Sequence, residues 1–222
     1  QGRDVVGCFM RLGSPGEALE EATGLSIASR GCCSINDAHD AREVAGHLGI
    51  PFYALNFKDD FGRVIDDFVS EYNAGRTPNP CIQCNNWLKF GRLHEYASHI
   101  GATHVASGHH ARIIHGDDGP ELRCGADSGK DQSYVLFGAP FGRLGEMLLP
   151  IGHMTKDQVR EEARRLGLPV HDKPDSQDIC FVPDGDYAAM IERRSPGSLR
   201  EGDVLDSGGA VIGSHGGHQR FT

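Results

Sequence analysis

Short apolar runs alternate along the first half of the chain with segments whose apolar residues recur every three or four positions. The apolar runs at 4–10, 50–55 and 103–106 predict buried parallel strands, because helices cover both faces of such strands. The periodic segments at 36–49, 61–75 and 86–101 predict amphipathic helices, each of which ends at a glycine. This alternation indicates an α/β fold built on a doubly wound parallel sheet.

The second half of the chain carries weaker periodicity. We expect a β-hairpin over 113–127, a helix that opens at 130–134, and a helix after the capping box at Thr155. A strand-like piece at 179–182 and a short helix near Tyr187 follow, whereas the polar segment 13–30 predicts a mobile loop. We predict a nucleotide-binding α/β domain over 1–194 and the beginning of a small β domain over 195–222.

Composition narrows the class of protein. A hydrophobic fraction of 38% with 24% charged residues is typical of a soluble globular protein, and no apolar run approaches the ~20 residues of a membrane span. The odd count of seven cysteines and the absence of a signal peptide favour a reducing cytoplasm. The net charge of −9 argues against a generally basic, nucleic-acid-binding surface but leaves room for a local basic face.

The segment around two cysteines is the centre of the predicted chemistry. Pro78 and Pro80 predict an extended loop, which leads into a helix that opens at Asn86. Cys84 would then lie at a helix N-terminus, where unpaired N–H groups and the helix dipole lower the pKa of a thiol. The sequence therefore predicts a reactive thiol at Cys84.

Other interpretations of the cysteines stay open. Cys81 and Cys84 have the spacing of half a zinc site, which positions 32–33 or 109–110 could complete. Cys81 could instead be a small buried residue beside one reactive thiol. Cys180 is the best candidate for a partner thiol, although its position between two apolar residues, taken alone, favours a structural thiol in a strand.

Three polar segments are candidate contacts. Positions 107–110, after a predicted strand, could contact a nucleotide with Gly108 allowing close backbone approach, or could be a turn with surface histidines. Positions 130–132 could contact phosphate or bases, or could be a solvated helix start. The basic side of the helix at 156–165 could meet phosphates, or could be balanced by Glu161 and Glu162.

Four motifs, in order and spacing, resemble the bacterial and organellar tRNA-specific 2-thiouridylase family. They are Gly-Arg-Thr-Pro-Asn-Pro-x-x-x-Cys-Asn with Lys-Phe at 75–90, Ser-Gly-His-His-Ala-Arg at 107–112, Lys-Asp-Gln-Ser-Tyr at 130–134, and Asp-Ser-x-x-Ile-Cys-Phe at 175–181. The resemblance covers nearly the whole chain. It implies an adenine nucleotide alpha hydrolase-like fold of the ATP-pyrophosphatase type.

The resemblance also implies a reaction and its residues. ATP, with Mg²⁺, activates the C2 oxygen of the wobble uridine of tRNA, and sulfur then replaces that oxygen. Cys180 carries the sulfur as a persulfide, and Cys84 is the nucleophile that releases it and forms a disulfide with Cys180. A cysteine desulfurase or sulfur relay protein would supply the sulfur to a monomeric, cytoplasmic enzyme. The contact positions are Met10 and Gly108 for the nucleotide, Asn79, Pro80 and Cys81 for the target base, and Lys130, Asp131 and Gln132 for tRNA.

The chain departs from the family pattern in three places. The family's phosphate-binding loop would precede Asp4 and its C-terminal β-barrel would follow Thr222, so we expect this chain alone to bind ATP poorly and turn over little. Many family members have Asp at position 81. The cysteine found there suggests a rival mechanism, in which Cys81, Cys84 and Cys180 ligate a [4Fe–4S] cluster.

Two other functions compete with thiolation. An ATP-pyrophosphatase ligase or amidotransferase acting on a small substrate would share the sheet but would not need the paired cysteines. A non-catalytic zinc-binding module would need the cysteines but no nucleotide.

Overall fold

The computed structural model describes residues 2–13, 35–174, 179–182 and 185–221. These residues form two compact units. The first contains 2–13, 35–61 and 81–174, and the second contains 62–80, 179–182 and 185–221. Apart from Gly13, the predicted loop at 13–30 lies outside the described residues.

The elements of the described residues follow one another in mixed α and β order. The strands are β1 (Gly7–Arg11), β2 (Phe52–Asn56), β3 (Val105–Ala106), β4 (Ala111–Gly116), β5 (Gly119–Cys124), β6 (Met147–Leu148), β7 (Gly202–Leu205) and β8 (Val211–His215). The α-helices are α1 (Ile35–His47), α2 (Lys58–Asn73), α3 (Pro80–Gln83), α4 (Leu93–His99), α5 (Lys156–Arg165) and α6 (Tyr187–Arg194). A π-helix (Cys84–Arg92) joins α3 to α4, and 3₁₀ turns occupy Ser133–Val135, Phe141–Glu146 and His218–Arg220.

Parallel strand pairs form the β structure of the first unit. β1 pairs with β2 in a register that runs from Gly7 opposite Phe52 to Arg11 opposite Asn56, and β3 pairs in parallel with β6. Helix α1 lies between β1 and β2 in the chain, whereas the β4–β5 hairpin and two 3₁₀ turns lie between β3 and β6. The strands predicted at 4–10, 50–55 and 103–106 and the three helices predicted in the first half are present, with differences at their ends. The predicted burial of the first two strands is wrong, since every residue of β1 and β2 is exposed or half-buried.

Two antiparallel hairpins complete the β structure. β4 and β5 turn at 116–119 as predicted, and β7 and β8 form a second hairpin in the glycine-rich C-terminal segment. The predicted capping box is also confirmed, because Thr155 Oγ1 accepts from Gln158 N at 3.3 Å and Gln158 Oε1 accepts from Thr155 N at 2.8 Å.

Each unit has its own apolar core. The core of the first unit joins the helix that follows Cys84 to β3, β4 and β6, and its buried members include Phe90, Val105, Ala111, Leu136 and Met147. The core of the second unit is aromatic. Phe68 contacts the rings of Tyr72 and Phe181 edge-on, with centroids 4.9 and 5.2 Å apart.

Two sequence predictions are wrong in the second half. Positions 179–182 form a turn, closed by a 2.9 Å hydrogen bond from Val182 N to Ile179 O, and not a strand. Their apolar character reflects burial, since Phe181 and Val182 are 2% and 1% exposed. The helix predicted at 130–134 is only the 3₁₀ turn Ser133–Val135.

Within the described ranges, none of the helices combines the length and the apolar character that crossing a bilayer requires.

Candidate functional site

The segment that carries Cys81 and Cys84 is helical from Pro80 onward. α3 passes into the π-helix without a break, since Gln83 at the junction has φ −64° and ψ −40°. Cys81 is exposed and Cys84 is half-buried. The prediction that Cys84 lies at a helix N-terminus is therefore wrong by one turn. Pro80 starts the helix, because the missing N–H and fixed φ of proline suit the first helical position.

This shift changes which thiol the helix dipole favours. The dipole acts mainly on the first turn, which contains Cys81. Cys81 therefore gains more from the helix N-terminus than Cys84 does. Reactivity of Cys84 must depend more on its side-chain surroundings than on the helix start.

Side chains next to Cys84 are anchored in the core of the first unit. Asn85 is 1% exposed, and its Nδ2 donates to the carbonyl of Val135 at 3.0 Å. Leu88 and Phe90 of the same π-helix are fully buried. The backbone that carries Cys84 is thus held by contacts with residues far along the chain.

The loop after β3 packs against this helix. His109 is 7% exposed, its Nδ1 lies 2.7 Å from Ser107 Oγ, and its ring centroid lies 6.3 Å from that of Phe90. Burial, with a smaller effect of the Lys89 charge, lowers the pKa of His109 to about 3. The imidazole is therefore neutral near pH 7 and offers one nitrogen as donor and one as acceptor. The interpretation of positions 109–110 as surface histidines is wrong, since His110 is also buried.

Two hydrogen bonds between His110 and Gln132 join two of the predicted contact motifs. His110 N donates to Gln132 Oε1 at 3.0 Å, and Gln132 N donates to the carbonyl of His110 at 2.9 Å. Gly108 precedes this junction, and a Cβ on it would have only Ile151 Cδ1, at 3.9 Å, within 4 Å. The backbone at Gly108 is therefore open to close approach by a ligand, as a nucleotide contact would need.

Asp131 holds the turn that carries these contacts. Its Oδ1 accepts from Gly125 N at 2.7 Å and from Ser133 N at 3.3 Å, and its Oδ2 accepts from Ser133 Oγ at 2.7 Å. Burial by itself raises the pKa of Asp131, but the hydrogen bonds from Gly125, Ser133 and Cys124 lower it overall. These bonds explain why positions 130–134 form a turn instead of a helix.

A cavity of about 780 Å³ lies in the first unit along the strands. Its lining includes Cys8 of β1, Tyr53 of β2, Leu93 and Tyr96 of α4, and Val105 of β3. The lining does not include Met10 or Gly108, although Met10 lies near the carboxyl end of β1 and is half-buried. The predicted nucleotide contacts at Met10 and Gly108 therefore remain predictions.

Of the other predicted site residues, Lys130 is exposed in the first unit, and Asn79, Pro80 and Cys180 belong to the second unit. Asn79 and Pro80 precede the π-helix, and Cys180 is half-buried in the turn next to Phe181. Because Cys84 belongs to the first unit, the pairing of the two thiols stays a prediction. The part of the chain described here holds no group of three or more side chains suited to a metal ion, and Cys32 and Cys33 lie outside that part.

The basic helix α5 is a balanced surface helix. Arg165 Nη2 lies 2.6 Å from Glu162 Oε1, and Arg164 pairs with Glu161 at 2.5 Å. The alternative that these arginines are neutralised by neighbouring glutamates is therefore confirmed.

Sequence reasoning missed Arg143, whose guanidinium contacts the Cys84 helix. No local pattern marks this residue, because it lies in a glycine-rich 3₁₀ turn more than 50 positions from the carbonyls that it binds. The Asn85–Asn86 pair directly after Cys84 indicates only that this helix has distant partners, since amides within an apolar helix face need hydrogen-bond partners. It does not identify Arg143.

The chain matches known proteins along its whole length. Residues 1–184 match the family model described as the tRNA methyl transferase HUP domain. The tRNA-specific 2-thiouridylase MnmA of Rhodopirellula baltica is 44% identical over 244 residues, which cover 100% of this chain and 61% of that protein. The enzyme of the same name from Rhodospirillum rubrum is 48% identical, with 100% of this chain and 58% of the relative covered.

A third relative, the tRNA-specific 2-thiouridylase MnmA of Geobacter metallireducens, is 50% identical over 193 residues, with 86% of this chain and 52% of the relative covered. The chain thus spans between about half and three fifths of the length of these relatives. The matches confirm the predicted fold class and the predicted family. The chain belongs to the tRNA methyl transferase HUP domain family, and its curated relatives are tRNA-specific 2-thiouridylases.

Proposed function

We propose that this protein takes part in converting the wobble uridine of tRNA to 2-thiouridine, with ATP as the activating cosubstrate and a cysteine persulfide as the sulfur source. The names of the relatives support this function. The observation that carries it is the connection between three motifs. The Cys84 helix contacts the loop at 107–110 through Phe90 and His109, and that loop is bonded to Gln132.

We propose that the reaction proceeds in three steps. The C2 oxygen of the uridine attacks the α-phosphate of ATP, and pyrophosphate leaves. The terminal sulfur of a Cys180 persulfide attacks C2, and AMP leaves. The Cys84 thiolate then attacks Cys180 Sγ, and the electron pair of the broken S–S bond forms the C2 thiocarbonyl. A Cys84–Cys180 disulfide results, and a two-electron thiol reductant must reopen it.

The first unit contains most of the residues that we propose to contact nucleotide and RNA, whereas Asn79 and Pro80 belong to the second unit. Gly108 and Met10 would border the adenine nucleotide, and Mg²⁺ would neutralise its phosphates. Lys130, Asp131 and Gln132 would contact the tRNA, while Asn79, Pro80 and Cys81 would border the target base. A neutral His109 suits this place, because a buried neutral imidazole can hydrogen-bond to a base or ribose without adding charge.

The sulfur source would be a separate protein of the cytoplasm. Because a persulfide must be passed to Cys180 by a low-pKa donor thiol, a cysteine desulfurase or sulfur relay protein is the partner that we propose. The predicted monomeric state and the domain division at 194/195 are part of the same proposal.

The test is formation of 2-thiouridine in cells that lack their own 2-thiouridylase. We expect this chain, joined to the phosphate-binding loop and the C-terminal β-barrel of a 2-thiouridylase relative, to restore 2-thiouridine in tRNA, as measured by nucleoside mass spectrometry, and the chain alone to restore little. Cys84→Ser and Cys180→Ser should each abolish it. Cys8→Ser is the matched control, because Cys8 lies in β1 and has no role in the proposed reaction. Restoration of 2-thiouridine by the double variant lacking Cys84 and Cys180 would refute the roles proposed for these thiols, and failure of the unaltered sequence to form any 2-thiouridine would favour a ligase.

An iron–sulfur mechanism is the rival for the same reaction. Cys81 and Cys84 lie three positions apart on one helix and so face the same side, which suits two ligands of one cluster. Purification without oxygen, followed by iron and sulfide analysis, separates the two mechanisms. A colourless, iron-free protein that forms 2-thiouridine supports the persulfide. About four irons per chain, lost with the activity in Cys81→Ala, would support the cluster.

A further inference from the structure

The helix that carries Cys84 is π-helical over nine residues, from Cys84 to Arg92. Leu93 N donates to the carbonyl of Leu88, five residues earlier, before α4 continues with ordinary α-helical spacing. π-helices are rare and occur most often at functional sites. Cys84 is the first residue of this one, so the π-helical register sets the direction of its side chain.

Arg143 binds the end of the π-helix. Its Nη1 donates to the carbonyls of Phe90 and Gly91, at 2.8 and 3.0 Å. These carbonyls lie where five-residue spacing changes to four-residue spacing, beside the last five-residue hydrogen bond, from Leu93 N to Leu88 O. A charged donor makes a stronger hydrogen bond than a neutral one, so Arg143 stabilises the backbone at this change of spacing.

Gly91 is required by the same register. A Cβ at this position would lie 2.7 Å from the carbonyl oxygen of Asn86, five residues earlier, which is closer than real Cβ contacts. In an α-helix the Asn86 carbonyl would instead accept from residue 90, and residue 91 would no longer lie over it. A side chain at position 91 therefore disfavours the π register specifically.

The segment that contains Arg143 also receives the amides that follow Cys84. Asn85 Nδ2 donates to the carbonyl of Val135, and a Cβ on Gly138 would overlap the amide of Asn86. Val135, Gly138 and Arg143 lie within nine consecutive residues. One short segment thus contacts the π-helix at its beginning and at its end.

We propose that Arg143 and Gly91 are positioning residues, which hold the Cys84 helix in its π register and so aim the Cys84 thiol. A change from π-helical to α-helical spacing removes one residue from the turn. The first turn, with Cys84, then rotates by about 100° about the helix axis and moves by about 1.5 Å along it. A displacement of that size removes a nucleophile from attack distance. The role in catalysis rests on the proposed thiolation, whereas the effect on the position of Cys84 does not.

The activity test compares Arg143→Ala with Arg143→Lys. We expect the alanine variant to lower kcat for 2-thiouridine formation by about ten-fold or more, with KM for tRNA within about two-fold. Guanidinium ion at millimolar concentration should restore part of the rate by occupying the vacated site. The lysine variant keeps a cationic donor, so it should retain most of the rate. Arg123→Ala is the matched control, since Arg123 is an exposed arginine paired with Glu121 on the hairpin.

A second measurement follows Cys84 directly. The rate at which iodoacetamide alkylates Cys84, determined by peptide mass spectrometry relative to the exposed Cys124, should change by about three-fold or more in Arg143→Ala and in Gly91→Ala. Guanidinium should reverse the change in the arginine variant but not in the glycine variant.

The outcomes separate this proposal from the proposed function. If wild type forms no 2-thiouridine but alkylation of Cys84 responds as expected, the register proposal stands and the thiolation proposal fails. If folded Arg143→Ala and Gly91→Ala variants alkylate and thiolate like wild type, the register proposal is wrong. It is equally wrong if activity falls only in step with thermal stability and guanidinium restores nothing.

Discussion

The two cysteines assigned to sulfur chemistry lie in very different surroundings. Cys84 begins a π-helix that distant residues hold: the Asn85 side chain donates to the carbonyl of Val135, and the carbonyls of Phe90 and Gly91 accept from Arg143, more than 50 positions away. Cys180 lies in a turn that closes on itself through Val182 and Ile179, and only its neighbours are buried. The difference suits the roles proposed for them. Cys84 would be a nucleophile whose direction is fixed, and Cys180 would be a carrier that receives sulfur from another protein and transfers it.

The largest expected effect tests the separate roles proposed for Cys180 and Cys84. With a labelled persulfide donor, Cys180→Ser should take up no sulfur at all, because the carrier atom is gone. Cys84→Ser should take up sulfur on Cys180 but transfer it at least about a thousand-fold more slowly, because the releasing nucleophile is missing. The sulfur label bound to the protein and the sulfur label transferred to tRNA are measured separately. Label on Cys84 in the Cys180→Ser protein would reverse the two roles.

The next effect concerns the buried side chain of Phe181, which follows Cys180 in its turn. Phe181 is 2% exposed and packs edge-on against Phe68, so Phe181→Ala should lower the free energy of unfolding by about 3–5 kcal/mol. Urea unfolding monitored by circular dichroism measures it. Phe137→Ala is the matched control, since Phe137 is 71% exposed and should cost less than about 0.5 kcal/mol. Equal losses in the two variants would mean that the turn does not depend on Phe181.

The smallest effect, per pH unit, is the pH dependence of stability that we expect from His109, which packs against the Cys84 helix. The folded pKa of His109, about 3, lies below its usual value of 6.5, so between these pH values the unfolded chain binds more protons than the folded one. Stability should therefore fall as pH decreases through this range, by at most about 1.4 kcal/mol per pH unit from this residue. His109→Gln should flatten the slope, and His115→Gln, at an exposed position of β4, should leave it unchanged. An identical slope in wild type and His109→Gln would show that His109 is not buried in neutral form.

Local patterns predicted those parts of the fold that depend on nearby residues. The strands β1 and β2 and the helices between and after them follow from apolar spacing, and the capping box at Thr155 follows from two side chains three positions apart. The hairpin β4–β5 follows from glycines at its turn. In each case the residues that favour the element lie within it or directly beside it.

The failures share the opposite cause. Positions 179–182 are apolar because Phe181 meets Phe68, which lies in another part of the chain, and not because they form a strand. Positions 130–134 turn early because Asp131 binds Gly125 and Ser133. The helix around Cys84 begins at Pro80, where proline at a helix start and proline in an extended loop look the same in the sequence.

The amino-acid sequence alone therefore determined the α/β class and the family, because motif order and apolar period are properties of the linear chain, whereas the residues that carry sulfur stay a prediction. Only the tertiary structure decided that the Cys84 helix is π-helical, that Arg143 binds its last carbonyls, and that His109 is buried in neutral form. Those features depend on hydrogen bonds and packing between residues tens of positions apart. Such contacts exist only once the chain has folded, so no local pattern in the sequence reports them.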